Sequence, residues 1–204
     1  MHKNLLIKHS DFFNIAVNGR WKEGQDRVVL LEEDDPNAFE MFCAFLYTGQ
    51  LFIMKPDDRC SQDATEAGGR YETKELERMV MIWILAEKLM SVSLKDAVVD
   101  MLVAFLVDEA DYPTEMHVAV YPISSAKSAI RKLLVDIGIW SFGSGAIGEY
   151  GYDAGSAKYL FDMIVAKEEL KDCIHHSQAP WQRGDICRYH EHVAEGKPCY
   201  KTMF

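Results

Sequence analysis

Apolar side chains recur along this chain at helical spacing, and only briefly in runs short enough for strands. Leu5, His9, Phe12, Phe13 and Ala16 stand three and four apart, which places them on one face of a single helix closing at Asn18-Gly19. Val28-Val29-Leu30-Leu31 is continuously apolar and β-branched at its start, the pattern of a short strand buried on both faces. Asp35 is placed to cap the next helix, with Pro36 at its first position, where no N–H is needed. Phe39, Phe42, Cys43 and Leu46 form its expected buried face, and Gly49 its stop. Leu51-Phe52-Ile53 predicts a second short strand before Pro56, and residues 57–71 predict a long, mobile polar surface loop.

Stronger periodicity follows. Leu76, Met79, Val80, Trp83, Ala86 and Met90 make one helical face, and Leu94, Ala97, Val98, Met101, Leu102 and Phe105 make another. Ser93 with Asp96 reads as a reciprocal capping box, and the short Ser91-Val92-Ser93 link makes the two helices antiparallel neighbours. Tyr112-Pro113 and Tyr121-Pro122 punctuate a crossing segment. A helix from Ser125 buries Ile130, Leu133, Leu134 and Ile137, with Arg131-Lys132 on its solvated side. After a Gly-rich stretch over 143–155, a last helix covers about 156–173 with Leu160, Met163 and Ile164 inside. The tail from His175 reads as polar and irregular.

Several short motifs and their order carry a resemblance. They are His2-Lys3 with Leu5-Leu6, Ser10 with Phe12-Phe13, Trp21-Lys22-Glu23, Asp35-Pro36, Leu46-Tyr47-Thr48-Gly49, and Leu85-Ala86-Glu87-Lys88-Leu89. Together they resemble the BTB/POZ domain, particularly in the many fungal proteins that carry one. The resemblance covers about the first half of the chain. It implies an α+β, mostly helical fold: a BTB/POZ-like helical cluster over residues 1–108 with a small reduced sheet, then a helical extension over 109–204. It also implies a protein-interaction module and not an enzyme, with protein partners and a homo-oligomeric state. Family members serve as substrate adaptors of cullin-type ubiquitin ligases or as oligomerising domains of transcription regulators. No zinc-finger array or basic segment follows here, which weakens the regulator reading. For the adaptor reading, the hydrophobic-x-acid pattern expected before Tyr-Thr-Gly has Ala38-Phe39-Glu40 as its nearest match. The resemblance further implies a two-strand hairpin ahead of His2, for which there are no residues beyond Met1. The expectation is a domain lacking its first strands, the chain starting at an internal methionine; a shortened form completed by a partner is the other reading.

Composition narrows the function classes. The chain has 204 residues, a net charge of −10 and no Lys/Arg cluster, so nucleic-acid binding is not expected. No apolar run approaches the ~20 residues of a membrane span, and no signal-peptide pattern opens the chain, so an intracellular protein, cytoplasmic or nuclear, is expected. Five cysteines, unevenly spread, do not form a disulfide framework.

Two motifs raise chemistry. Gly143-Ser144-Gly145-Ala146-Ile147-Gly148 matches G-x-G-x-x-G, but a dinucleotide site needs a strand before it, and Leu133 to Ile137 reads as helix. A loop is the better reading. Cys187, His190, His192 and Cys199, spaced C-x2-H-x-H-x6-C, supply two thiolates and two imidazoles, a complete structural zinc set. His-x-His is expected to place both imidazoles on one side of an extended segment, and Cys173, His175 and His176 stand nearby as substitutes. The Cys187–His192 segment is also similar to tails of fungal BTB proteins. A catalytic Cys187–His190 pair has nothing but residue types to support it.

Overall fold

The computed structural model describes residues 2–19, 28–52, 68–108, 116–141, 154–170 and 178–204. Its first two helices, α1 (Lys3–His9) and α2 (Asp11–Asn18), stand where the periodicity predicts one. Ser10 divides them. Its backbone is extended, its hydroxyl accepts the Phe13 N–H at 3.1 Å, and it donates to the Leu89 carbonyl at 2.6 Å. The expected stop holds, but Gly19 closes α2 at φ −72° by donating its N–H to Ile15, without a left-handed turn.

The small reduced sheet is not there: no strand occurs among the described residues. Val28 and Leu30 are 55% and 72% exposed, while Val29 and Leu31 rest against the core. A four-residue run becomes a strand only when a neighbour pairs its backbone groups, and none does among the described residues. Leu51 and Phe52 likewise carry no strand. Ile53, the loop to residue 67, and Gly143–Gly148 lie outside the described residues.

The third helix, α3 (Pro36–Thr48), has the predicted ends. Asp35 Oδ1 accepts the Asn37 N–H at 3.1 Å, and Gly49 closes the helix in the left-handed region at φ 69°. Its buried side is Ala38, Phe42, Phe45 and Leu46, so the face is turned away from Phe39 and Cys43, which are half-buried. α4 (Gly68–Lys88) begins inside the expected loop and packs along α5 (Val92–Asp108) across the link at Leu89–Ser91. The predicted α5 face is buried apart from half-buried Met101, but Val99, Val103 and Leu106 are buried too. α5 is therefore wrapped nearly all round, the position of a central helix.

Around this pair lie α6 (Met116–Val120), α7 (Ala129–Ser141) and α8 (Ala154–Glu169). Ile130, Leu133, Leu134 and Ile137 are buried in α7 as predicted. Arg131 is not solvated: it is 7% exposed, and its guanidinium donates to Ser124 Oγ at 2.8 Å and to the carbonyls of Tyr121 and Ser124, both at 2.6 Å. Those acceptors, left by the turn after α6, make the buried charge tolerable. In α8, Tyr159 and Met163 face the core, whereas Ile164, expected inside, is 63% exposed.

Residues 178–204 overturn the expectation of an irregular polar tail. Short 3-10 turns at Pro180–Gln182, Ile186–Tyr189 and Tyr200–Thr202 surround a one-turn helix, α9 (Glu191–Glu195). Trp181, Tyr189 and Tyr200 enter the same core as the first helices.

Candidate metal centre

The tail folds back on itself because of two backbone features. His190 is extended, at φ −99° and ψ 139°, which ends the 3-10 turn holding Cys187 and opens α9 with His192 in its first turn. Gly196 then takes φ 63° and donates its N–H to the His192 carbonyl, turning the chain so that Cys199 returns toward Cys187. One donor atom from each of Cys187, His190, His192 and Cys199 lies within 4.8 Å of the others. The four residues singled out in the sequence thus meet at one place. The two histidines are not arranged along one extended segment, as expected, but across the start of a helix. Cys173, His175 and His176 lie outside the described residues.

α5 supplies the rest of the site. Asp96 accepts the Glu191 N–H at 2.6 Å, the His192 N–H at 3.4 Å, and lies 2.7 Å from His192 Nδ1. A carboxylate from a distant helix thus caps α9 and fixes one imidazole in the same contact. One turn on, Asp100 accepts from Tyr200 Oη at 2.6 Å and from Lys201 Nζ at 2.9 Å, and its Oδ1 stands 3.3 Å from His190 Nε2. Burial works to raise the Asp100 pKa, but the His190, Tyr200 and Lys201 contacts outweigh it and hold the carboxyl below its ordinary range.

His190 is 2% exposed, and neither of its ring nitrogens makes a well-aligned hydrogen bond among the described residues. A buried polar atom left so costs ~1–3 kcal/mol. Burial, and then the neighbouring Cys199 thiol, push the Cys187 thiol pKa up. Glu191 ties the site outward: its Oε1 accepts the Ala129 N–H at 3.0 Å and also the Ser128 hydroxyl, so it caps α7.

Sequence reasoning found the four donors and missed Asp96, Asp100, Tyr200 and Glu191. A signal for the first two existed. Asp96 and Asp100 lie four apart, on one face of a largely apolar helix, and such carboxylates call for partners. Assigning Asp96 to a capping box hid it. Ser91 Oγ accepts the Leu94 N–H at 3.4 Å, and Ser93 Oγ lies 3.2 Å from His9 Nδ1.

The family model of the BTB/POZ domain matches residues 1–88, a segment that ends well before the Cys/His set. That domain is a protein-interaction module. No curated protein and no solved structure matches the chain.

Proposed function

With a BTB/POZ match over residues 1–88 as the premise, we propose that this chain is an intracellular protein-interaction module that associates with a second copy of itself, with residues 1–108 as the module and 109–204 as an extension bracing it. The observation that carries this reading is the apolar surface of the matched segment. Ile15, Val28, Leu30, Tyr47 and Phe52 all leave large side chains in water there. Val28 to Leu31 adds an apolar run outside any helix, with no ladder partner among the described residues, to which another chain's backbone could pair. Among the described residues, no helix is long and apolar enough to cross a membrane.

Light scattering on the purified protein tests this. A dimer or larger species at micromolar concentration is expected, and Leu30→Lys should shift it toward monomer without lowering the melting temperature. A chain that stays monomeric to ~100 μM would remove self-association. Docking to a cullin-type ligase has less support. Ala38, the hydrophobic position of Ala38-Phe39-Glu40, is closed into the core at 3% exposure, leaving only the half-buried Phe39 and exposed Glu40 to meet a partner.

A further inference from the structure

We propose that Cys187, His190, His192 and Cys199 bind one zinc ion, and that this ion latches the C-terminal segment onto α5. The proposal stands apart from self-association, because every donor lies beyond the matched segment.

Two thiols and two imidazoles are a full ligand count for zinc, and thiolate with imidazole selects zinc over magnesium or calcium. Zinc–sulfur bonds of ~2.3 Å and zinc–nitrogen bonds of ~2.0–2.1 Å give tetrahedral edges of roughly 3.3–3.8 Å. The four donor atoms lie within 4.8 Å of one another, so a contraction of about 1 Å closes the set. The turn at Gly196, where an added Cβ would meet nothing within 4 Å, can accommodate that movement.

The imidazoles are prepared for a metal by α5. His192 presents Nδ1 to Asp96 at 2.7 Å, which leaves Nε2 to ligate. His190 has Nε2 toward Asp100 at 3.3 Å, which leaves Nδ1. A carboxylate behind each ligating imidazole is the arrangement that fixes ring orientation and strengthens the ligand. It also accounts for His190. Both its ring nitrogens are buried without a hydrogen bond among the described residues, and a ligated Nδ1 with Nε2 drawn onto Asp100 satisfies both. Two thiolates balance the charge of the ion.

The latch reaches beyond the site. Just after Cys199, Tyr200 packs on Phe45 with ring centroids 5.9 Å apart, and Phe204 stacks on His9 at 4.9 Å. Lys8 donates to the Met203 carbonyl at 3.2 Å. Zinc occupancy therefore governs whether the chain end stays seated on α1 and α3.

The test is metal content and tail protection in the full chain. Protein purified from zinc-supplemented cells should hold about one zinc per chain, and cobalt substitution should give the strong visible bands of a tetrahedral thiolate site. Cys187→Ser/Cys199→Ser should lose the metal. Asp96→Asn should weaken zinc roughly 10–100-fold while keeping all four ligands. A strong chelator should open residues 178–204 to proteolysis, and added zinc should close them again, a readout in wild-type protein that does not depend on any variant folding. Metal-free protein that takes up neither zinc nor cobalt would overturn the site. Zinc retained by the double variant would overturn the ligand set, and a tail equally protected with and without metal would overturn the latch.

Discussion

Ser10 separates two helices with one hydroxyl, and both of its hydrogen bonds are buried. Ser10→Ala removes a helix cap and leaves the Leu89 carbonyl with the longer 3.4 Å bond from the Phe12 N–H, so a loss of ~1–3 kcal/mol is expected. In a chain of this size that is roughly 3–10 °C in melting temperature, measurable by calorimetry. Gly49 carries a different constraint. It is left-handed at φ 69°, and an added Cβ would lie 2.5 Å from Phe204 Cγ. Gly49→Ala is expected to cost at least ~1 kcal/mol from backbone strain alone, and more from the collision with Phe204. The two parts separate in a double-mutant cycle: in a Phe204→Ala background the collision disappears and the strain remains. An equal penalty in both backgrounds would mean that Phe204 does not sit on this turn.

At the scale of elements, what could be read in advance was what depends on neighbours in sequence. The cap at Asp35, the stop at Gly49 and the buried stripes of α5 and α7 follow from local chemistry and period, and all are found. Val28 to Leu31 depended on a partner strand that four apolar residues cannot specify, and the break at Ser10 depended on the Leu89 carbonyl 79 positions away. The candidate centre divides in the same way. Its four donors were legible from residue type and spacing, whereas Asp96 and Asp100 acquire their partners only when the tail crosses α5. Leu46 tests the assignment of α3 directly. At 1% exposure among Phe42, Phe45 and the α4–α5 pair, an unpaired carboxylate there has no solvation, so Leu46→Asp should cost several kcal/mol, comparable with a whole domain's stability. The exposed Glu40→Ala on the same helix should be nearly silent. Equal melting temperatures for the two variants would show that Leu46 is not in the core.

Across the whole molecule the two chain ends hold each other, and His9 lies where they meet. Its ring stacks on Phe204 and meets Phe45 edge-on, with Ser93 Oγ 3.2 Å from Nδ1 and Nε2 buried without a hydrogen-bond partner among the described residues. The side chains of Ser93, Phe45 and Phe204 bring no charge, and the adjacent Lys8 is cationic. Burial first, then Lys8, lower the His9 pKa from 6.5 to about 4. The folded chain thus keeps His9 neutral where the unfolded chain protonates it. This contribution to stability is fully present above pH 6.5 and is lost as pH falls toward 4, by up to ~3 kcal/mol. Zinc binding at the proposed site would also weaken in acid, so the melting temperature of the native protein alone cannot isolate His9. His9→Asn can, because asparagine keeps a polar group near the Nδ1 position and does not titrate. Between pH 6.5 and 4 the stability of the native protein should fall more steeply than that of His9→Asn, in urea titrations run with zinc present throughout. Parallel pH profiles for the two proteins would mean that His9 can be protonated where it sits, and that the seam between the chain ends admits water.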